Sequence, residues 1–140
     1  MNPSSPSRAR WRTATLAAAA AAFALPGVAH AATPAELLSA FAGRAGTAPQ
    51  PARGQQLFTT RHGREWSCAS CHGTPPTQAG RHASTGKPIA ALAPAANGER
   101  FTDPAKAEKW FRRNCNDVIG RECTDVEKAD VLAWLVGLQP

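Results

Sequence analysis

Two cysteines and a histidine lie close enough in the sequence to act on one ligand. They form the run Cys68-Ala69-Ser70-Cys71-His72. Two thiols three positions apart can form thioether bonds to the two vinyl groups of one porphyrin, and the histidine that follows can supply a nitrogen to its iron. This C-x-x-C-H spacing is typical of the attachment site of c-type haem. The sequence therefore predicts one covalent haem c on Cys68 and Cys71, with His72 as the proximal ligand.

Three other uses of the same two thiols are weaker. A redox-active C-x-x-C pair is expected in a thioredoxin-like βαβ unit, and the chain lacks that pattern. A zinc site needs a second pair of ligands, and Cys115 and Cys123 are not spaced as one. A disulfide between Cys68 and Cys71 would close a tight, strained loop. Haem c is therefore the favoured prediction.

An absence is as informative as the motif. Small cytochromes c commonly place a methionine sulfur on the sixth position of iron, which raises the reduction potential. The only methionine here is Met1. The sixth ligand must therefore be another side chain, water or nothing. The candidate side chains are those of His62, His82, Lys87 and Asn114.

Asn114 lies on an apolar helical face. It follows Ala107, Trp110 and Phe111 at the spacing i, i+3, i+4, i+7. Trp110 and Phe111 are expected to pack against the haem. Burying an amide without a partner costs roughly 1–3 kcal/mol, so Asn114 needs one. Two roles stay open: a weak, hard iron ligand that favours the ferric state, or a cap at the C-terminus of the helix.

The two cysteines outside the motif are expected to bond to each other. The chain has four cysteines, and haem attachment uses two. In an oxidising compartment the remaining Cys115 and Cys123 should form a disulfide. Closing this short loop would stabilise the fold by roughly 2.6 kcal/mol in the chain-entropy model. The bond would also fix the backbone beside Asn114.

Residues 1–31 have the composition of a secretory signal. Arg8, Arg10 and Arg12 precede an alanine-rich apolar run, and Ala29-His30-Ala31 fits the small-x-small cleavage pattern. The apolar run is about 12 residues long, whereas spanning a bilayer takes about 20. Cleavage after Ala31 is therefore favoured over an uncleaved anchor. Export to the periplasm follows, and c-type haem is attached in that compartment.

Removing this segment also removes much of the positive charge. The whole chain has 16 basic and 10 acidic residues, a net charge of +6. Without the three N-terminal arginines, 13 basic residues stand against the same 10 acidic ones, a net charge of +3. This balance argues against a nucleic-acid-binding protein. Residues 32–140 are expected to form one haem domain that has no membrane span and is monomeric.

Short helices joined by loops are predicted throughout residues 32–140, so the fold class is all-α. Thr33-Pro34-Ala35-Glu36 and Thr124-Asp125-Val126-Glu127 are capping boxes that start the first and last helices. Two further helices are predicted, from Arg53 to Thr60 and after Asp103. No run alternates with period two for long enough to indicate a strand.

The long connection between residues 73 and 97 is rich in proline and glycine and is predicted to be a loop. Its stretch Pro88–Pro94 is apolar and must cover an apolar group. Pro88, Ile89 and Leu92 are therefore expected to contact the haem, as is Phe58 of the second helix. Gly54, in the same helix, is suited to a close crossing with the last helix, although it could equally be a helix start.

Longer stretches around these residues resemble the Sphaeroides heme protein family of small exported monohaem cytochromes c. The matching stretches are Cys68–Gly73, Thr85–Pro94, Arg100–Asp103 and Glu108–Thr124. The last is the most selective, because it carries an asparagine directly before a cysteine. The resemblance covers about residues 33–138. Residues 46–53 and 60–67 match no motif of the family.

This resemblance implies a class I cytochrome c fold, in which short helices surround one covalently bound haem. It implies that Asn114 is the distal ligand and that the Cys115–Cys123 disulfide lies beside it. It also implies that the asparagine is released on reduction, which leaves high-spin ferrous iron able to bind diatomic gases.

Two functions follow from these predictions. The first is single-electron transfer with another cytochrome, of c-type or b-type, coupled to release of the distal ligand. The second is binding or conversion of a diatomic gas, oxygen or nitric oxide, or of a small nitrogen oxide at the ferrous iron. No catalytic acid or base is evident, so electron transfer is favoured over a dedicated enzyme. The cationic residues that could contact haem propionates or an acidic partner are Lys109, Arg112, Arg113 and Arg121.

Overall fold

The computed structural model describes residues 31–140. Apart from Ala31, the predicted signal segment lies outside these residues. The helices are α1 (Pro34–Ala45), α2 (Pro51–Thr59), α3 (Ala69–His72), α4 (Pro104–Val118) and α5 (Asp125–Gly137). No helix in this part of the chain is long and apolar enough to cross a membrane.

The all-α prediction is confirmed, with differences in detail. The four-residue helix α3 was not predicted, and α2 begins at Pro51 rather than at Arg53. A short pair of strands is a further addition. Within residues 73–97, which were predicted to be a loop, β1 (Gly80–Arg81) pairs antiparallel with β2 (Pro88–Ile89). Each strand has two residues, which is too short to leave an alternating pattern in the sequence. The pair forms a hairpin over the haem motif.

Both predicted capping boxes are present. The Thr33 hydroxyl accepts a hydrogen bond from the backbone N–H of Glu36, and the Glu36 carboxylate accepts one from the backbone N–H of Thr33 at 2.7 Å. Thr124 and Glu127 repeat the arrangement at the start of α5. Each box satisfies N–H groups that the first turn of a helix leaves without intrahelical partners.

The close crossing of α2 and α5 depends on Gly54. Of the two roles that the sequence allowed for this glycine, a close crossing or a helix start, the structure shows the crossing. A Cβ atom at Gly54 would lie 2.6 Å from the backbone nitrogen of Val131 and closer still to the Asp130 carbonyl oxygen. Any side chain would therefore push the helices apart.

A buried carboxylate reinforces this crossing. Asp130 is 1% exposed. Its Oδ1 accepts hydrogen bonds from the backbone N–H of Gln50 at 2.7 Å and from Arg53 Nη2 at 3.0 Å, and its Oδ2 accepts one from Arg53 Nε. Because Gln50 provides no side-chain cap of its own, a residue of α5 caps the N-terminus of α2.

The apolar core has two parts, and the second adjoins the haem motif. The first part joins α1, α4 and α5 through Leu37, Phe41, Ala107, Ala129 and Leu132. The second, called here the motif-side cluster, consists of Phe58, Val131, Trp134 and Leu135.

Candidate haem site

The haem motif lies on the shortest helix of the chain. Cys68 is the N-cap residue of α3, and Cys71 and His72 occupy its last two positions. Both cysteines are free and partly buried. Cys68 packs against the motif-side cluster, and so the helix is fixed to the core on one side.

The His72 imidazole is held in an apolar environment. Its ring centroid lies 6.1 Å from that of Phe58, which in turn lies 5.0 Å from that of Trp134. Burial, together with the nearby charge of Arg100, lowers the pKa of His72 to about 4. The ring is therefore neutral at physiological pH and keeps the lone pair that an iron ligand needs.

The thiol of Cys68 is also shielded from water. Burial raises its pKa to about 11, with a smaller contribution from Cys71. The sulfur thus stays protonated at neutral pH and does not behave as the reactive thiolate of a redox C-x-x-C pair.

A glycine missed by the sequence analysis places the hairpin against this motif. A Cβ atom at Gly80 would lie 3.0 Å from the Cα of His72 and closer still to the Cys71 carbonyl oxygen. Beyond β1, the backbone N–H of Ala83 donates to Cys71 Sγ at 3.3 Å. Gly80 carries no local signal of this role because the contact joins residues on separate elements.

Hydrogen bonds to its own backbone hold the apolar stretch that includes Pro88, Ile89 and Leu92. Arg100 donates from Nε to the Ala91 carbonyl at 2.9 Å and from Nη2 to the Ala90 carbonyl at 2.7 Å. The backbone N–H of Leu92 donates to the Pro76 carbonyl at 3.0 Å.

The side chains of this stretch differ in position. Leu92 packs against the motif-side cluster. Ile89 is half-buried in β2, whereas Pro88 is exposed.

Trp110 and Phe111 occupy different environments on α4. Phe111 contacts both parts of the core, with its ring centroid 5.6 Å from that of Phe41 and 6.4 Å from that of Phe101. Trp110 is 43% exposed, and the Arg113 guanidinium lies 5.6 Å from its ring centroid. The structure therefore places Phe111 in the core and Trp110 at its edge.

Asn114 lies in the interior of α4. The helix continues to Val118 and its C-cap residue is Ile119, so the interpretation of Asn114 as a C-terminal cap is wrong. The side chain is half-buried, and within residues 31–140 its amide has no hydrogen-bond partner. By contrast, the Asn116 amide donates to the Arg112 carbonyl at 2.7 Å.

The other candidate distal ligands have different surroundings. His62 Nε2 donates to the Leu57 carbonyl at 2.9 Å, so that nitrogen carries a proton in this contact. His82 is exposed, and its Nδ1 accepts from the backbone N–H groups of Ser84 and Thr85 at 3.3 and 3.4 Å. Lys87 is exposed between the strands.

The predicted disulfide is confirmed and is adjacent to Asn114. Cys115 and Cys123 are bonded, with their Cα atoms 5.6 Å apart, and both residues are buried. The bond ties the last turn of α4 to the segment that leads into α5.

One member of the predicted cationic cluster is already paired. Arg121 donates from Nη1 and Nη2 to the two carboxylate oxygens of Glu127 at 2.8 and 2.7 Å. Lys109, Arg112 and Arg113 remain exposed on the outer side of α4.

The described residues fit a covalently bound haem. Two free thiols and a neutral imidazole stand on one short helix, and an apolar cluster adjoins it. A half-buried amide on α4 provides a further donor without a protein partner. This set matches the chemistry of a c-type haem, which needs two thioether links and axial nitrogen or oxygen donors.

Comparison with known proteins agrees with this chemistry. A family described as a domain of unknown function (DUF1924) matches residues 44–135. The cytochrome c-type protein SHP of Cereibacter sphaeroides is 49% identical over 119 residues, which cover 82% of this chain and 92% of SHP. Cytochrome c'' of Methylophilus methylotrophus is 46% identical over 79 residues, 56% of this chain and 55% of that protein.

Solved structures give the same relationship. Oxidised SHP, an oxygen-binding cytochrome c, aligns with a TM-score of 0.72 at 48% identity, over 76% of this chain and 98% of that one. Oxidised cytochrome c'' aligns with a TM-score of 0.68 at 35% identity, over 76% and 95% of the two chains. The chain therefore belongs to the DUF1924 and Sphaeroides heme protein (SHP) family and is a monohaem c-type cytochrome.

Proposed function

We propose that the protein carries one haem on Cys68 and Cys71, with His72 and Asn114 as axial ligands, and transfers single electrons to or from another cytochrome in the periplasm. Cleavage after Ala31 would release residues 32–140 there. The haem, when bound, supplies the one-electron couple. The roles of the protein residues are to hold it, to set its potential and to control access to the iron.

The observation that carries this proposal is the unpartnered amide of Asn114. The amide is half-buried but still reaches solvent, because no side-chain N or O atom of the described residues is fully buried without a partner. A haem packed against this side of α4 would exclude that water, and the amide would then need a polar partner such as the iron. Its neighbour Cys115 is fixed by the disulfide, so the backbone beside the amide cannot shift freely. A constrained backbone of this kind supports the role of Asn114 as a ligand, because a weak ligand must be held in place to bind.

The chemistry of the two ligands predicts a redox-dependent coordination. His72 is neutral and binds iron in either oxidation state. The Asn114 amide oxygen is a weak, hard ligand that favours ferric over ferrous iron. We expect Asn114 to leave on reduction and to open the sixth position.

Oxygen or another diatomic gas is a second candidate substrate, and a specific observation favours it. The SHP that aligns over 98% of its length is an oxygen-binding cytochrome c. Solution work on cytochrome c'' addresses haem-ligand detachment. Release of Asn114 would give this chain both a detachable haem ligand and a free position for oxygen. Small nitrogen oxides could use the same position.

Absorption spectra of the purified haem protein test the ligand set. We expect a low-spin ferric and a high-spin ferrous spectrum for the wild type, with carbon monoxide binding to the ferrous form. Asn114→Val should make the ferric form high-spin, because valine offers no donor. Asn116→Val, two residues away on the exposed side of α4, is the matched control and should retain the wild-type spectra.

Variants of the remaining candidates complete the test. His62→Ala, His82→Ala and Lys87→Ala should each keep the low-spin ferric spectrum. A low-spin ferric Asn114→Val protein, or a high-spin ferric His82→Ala protein, would contradict the assignment.

A further inference from the structure

The first three turns of α4 carry an exposed basic surface. Its cationic side chains, called here the α4 basic face, are those of Lys106, Lys109, Arg112 and Arg113. None of the four forms an ion pair with another residue of the described chain. The sequence pointed to three of them together with Arg121, but Arg121 is paired with Glu127 and does not belong to this surface.

The one carboxylate in this stretch of α4 is already neutralised. Glu108 pairs with Arg44 at 2.6 Å and with Lys128 at 2.7 Å, and both cations also contact Asp125. Two cations thus meet two carboxylates, and this network has no net charge. It lies on the side of α4 that meets α1 and α5, apart from the basic face.

Two further carboxylates lie at the ends of α4. Asp103 is its N-cap residue, and Asp117 is in its last turn. With a rise of 1.5 Å per residue, they lie about 9 and 12 Å along the helix axis from Lys109. Charges at such separations are largely screened at physiological ionic strength, where the Debye length is about 8 Å. Lys109 and Arg112 therefore form the centre of a positive surface.

Helix geometry distinguishes the two roles that the sequence left open for these cations, contact with haem propionates or with an acidic partner. Successive residues of an α-helix are rotated by about 100°, so Lys109 and Arg112 project about 140° and 160° away from Asn114 around the axis. A haem bound through Asn114 lies on the other side of α4. These two side chains therefore point away from its carboxylates and toward solvent.

The buried side of α4 favours a protein over a membrane as the partner. A helix that lies in a membrane surface inserts apolar side chains opposite its charged ones. In α4 these apolar positions include Ala107, Cys115 and Val118, which are buried within the protein. The basic face can therefore contact an anionic surface only through its charges. Carboxylates on a protein are suitable acceptors, because they pair with guanidinium groups through two parallel hydrogen bonds.

We propose that the α4 basic face docks an electron-transfer protein through an acidic patch on that protein. The inference rests on the proposed function, because it requires a partner that exchanges electrons with the haem. It goes further by naming the surface and the chemistry of the partner. A protein docked there would be separated from a haem bound by Asn114 by the width of one helix, about 10 Å.

Electron-transfer rates test this surface. The probe is fully reduced flavodoxin, a small acidic electron-transfer protein, mixed anaerobically with the ferric haem protein. Lys109→Gln and Arg112→Gln should each lower the second-order rate constant about threefold at low ionic strength, and Lys109→Glu/Arg112→Glu about thirtyfold, because charge attraction steers association. The differences should shrink in 1 M salt, where charges are screened beyond about 3 Å.

Two controls separate docking from net charge and from damage to the haem site. Arg61→Gln removes one exposed cation outside α4, which matches the net charge of Lys109→Gln, and it should keep the wild-type rate. The neutral semiquinone of lumiflavin should reduce the wild type and all variants at the same rate, because a neutral reagent is not steered. The absorption spectra of the variants should also match those of the wild type.

The outcomes that would overturn the docking surface are distinct. Equal losses of the flavodoxin rate in Arg61→Gln and Lys109→Gln would do so, as would a wild-type rate in Lys109→Glu/Arg112→Glu. Binding to phosphatidylglycerol vesicles that the double variant loses, with an unchanged flavodoxin rate, would replace the protein partner with a membrane. In these cases the proposed function would stand. Failure of the wild type to accept electrons from either reagent would instead overturn the proposed function and this inference with it.

Discussion

At Gly54 and Gly80, the absence of a side chain decides how closely two backbones can approach. Gly54 faces Asp130 and Val131 across the α2–α5 crossing, and Gly80 faces Cys71 and His72 under the hairpin. Gly43 offers a contrast, because a Cβ atom there would meet no atom within 4 Å. Substituting Gly54 or Gly80 therefore tests steric crowding, whereas substituting Gly43 tests only the change in backbone conformational freedom.

Gly54→Ala should destabilise the fold by about 1–3 kcal/mol, the usual cost of forcing an extra methyl group into a packed contact. Gly43→Ala, inside α1, should instead be neutral or stabilise it by up to about 1 kcal/mol, because alanine favours helix. Urea unfolding of the haem-loaded proteins measures both. Equal midpoints for the two variants would contradict the close crossing.

Gly80→Ala should act on the haem motif more than on the helical core. The added methyl group would push β1 away from α3 and disturb the backbone that carries Cys71 and His72. We expect a lower yield of haem-loaded protein on co-expression with attachment machinery, measured as haem absorbance per polypeptide. Gly86→Ala is the control for backbone strain without crowding, since Gly86 has a φ of +67° and no atom near the position of an added Cβ. A yield that falls only in Gly86→Ala would contradict the role of Gly80.

Among the elements, α2 depends on a residue of α5 for its first turn. Replacing the Asp130 carboxylate with an amide would leave one oxygen to accept from the Gln50 N–H, but it would remove the negative charge and turn an NH2 donor toward the Arg53 guanidinium, so the charged hydrogen bonds to Arg53 would be lost. Asp130→Asn should therefore destabilise the fold by about 1.5–3 kcal/mol, the range for hydrogen bonds to charged groups. The measurement is urea unfolding at neutral pH.

The matched control is Asp125→Asn. Asp125 pairs with Arg44 at 3.0 Å across a solvent-exposed surface, and exposed pairs contribute about 0–1 kcal/mol. An Asp125→Asn effect as large as that of Asp130→Asn would show that burial of the carboxylate is not what matters.

The sequence predicts those elements whose residues form a recognisable pattern within the element itself. The capping boxes at Thr33 and Thr124 are local patterns, and both were found where expected. The Gly54 crossing was one of two interpretations, and the structure decided between them. The cap of α2 by Asp130 was missed because its two partners lie about 80 residues apart in the chain.

The candidate site divides in the same way. Cys68, Cys71, His72 and the Cys115–Cys123 disulfide follow from residue type and spacing. The hydrogen bonds from Arg100 and the close contact of Gly80 do not, because each joins the backbones or side chains of separate segments nine or ten residues apart and leaves no local sequence pattern. For Asn114, the length of α4 excludes the cap that helical spacing alone left open.

For the whole molecule, ion pairs connect the N- and C-terminal parts of the described chain. Arg44 of α1 pairs with Glu108 of α4 at 2.6 Å and with Asp125 of α5, while Lys128 pairs with Glu108 at 2.7 Å. The hydrogen bond from Arg44 lowers the pKa of Asp125 below its ordinary value of 3.8. The hydrogen bonds from Arg121 lower that of Glu127 below 4.5.

These shifts predict the direction of the acid response. A carboxylate whose pKa is lower in the folded state stabilises the fold above its ordinary pKa, and this contribution is lost as the pH falls through the folded value. The urea midpoint should therefore fall below about pH 4.5, and less steeply in an Asp125→Asn/Glu127→Gln variant. Parallel curves for the two proteins between pH 7 and pH 3 would contradict the prediction.

The hairpin over α3 bears on biogenesis. With the Cys71 carbonyl under Gly80 and the Cys71 sulfur accepting from Ala83, the finished hairpin shields one flank of the peptide that must receive the tetrapyrrole. The maturation apparatus should therefore engage a nascent, still-open polypeptide, and closure of the hairpin would follow as the step that seals the product.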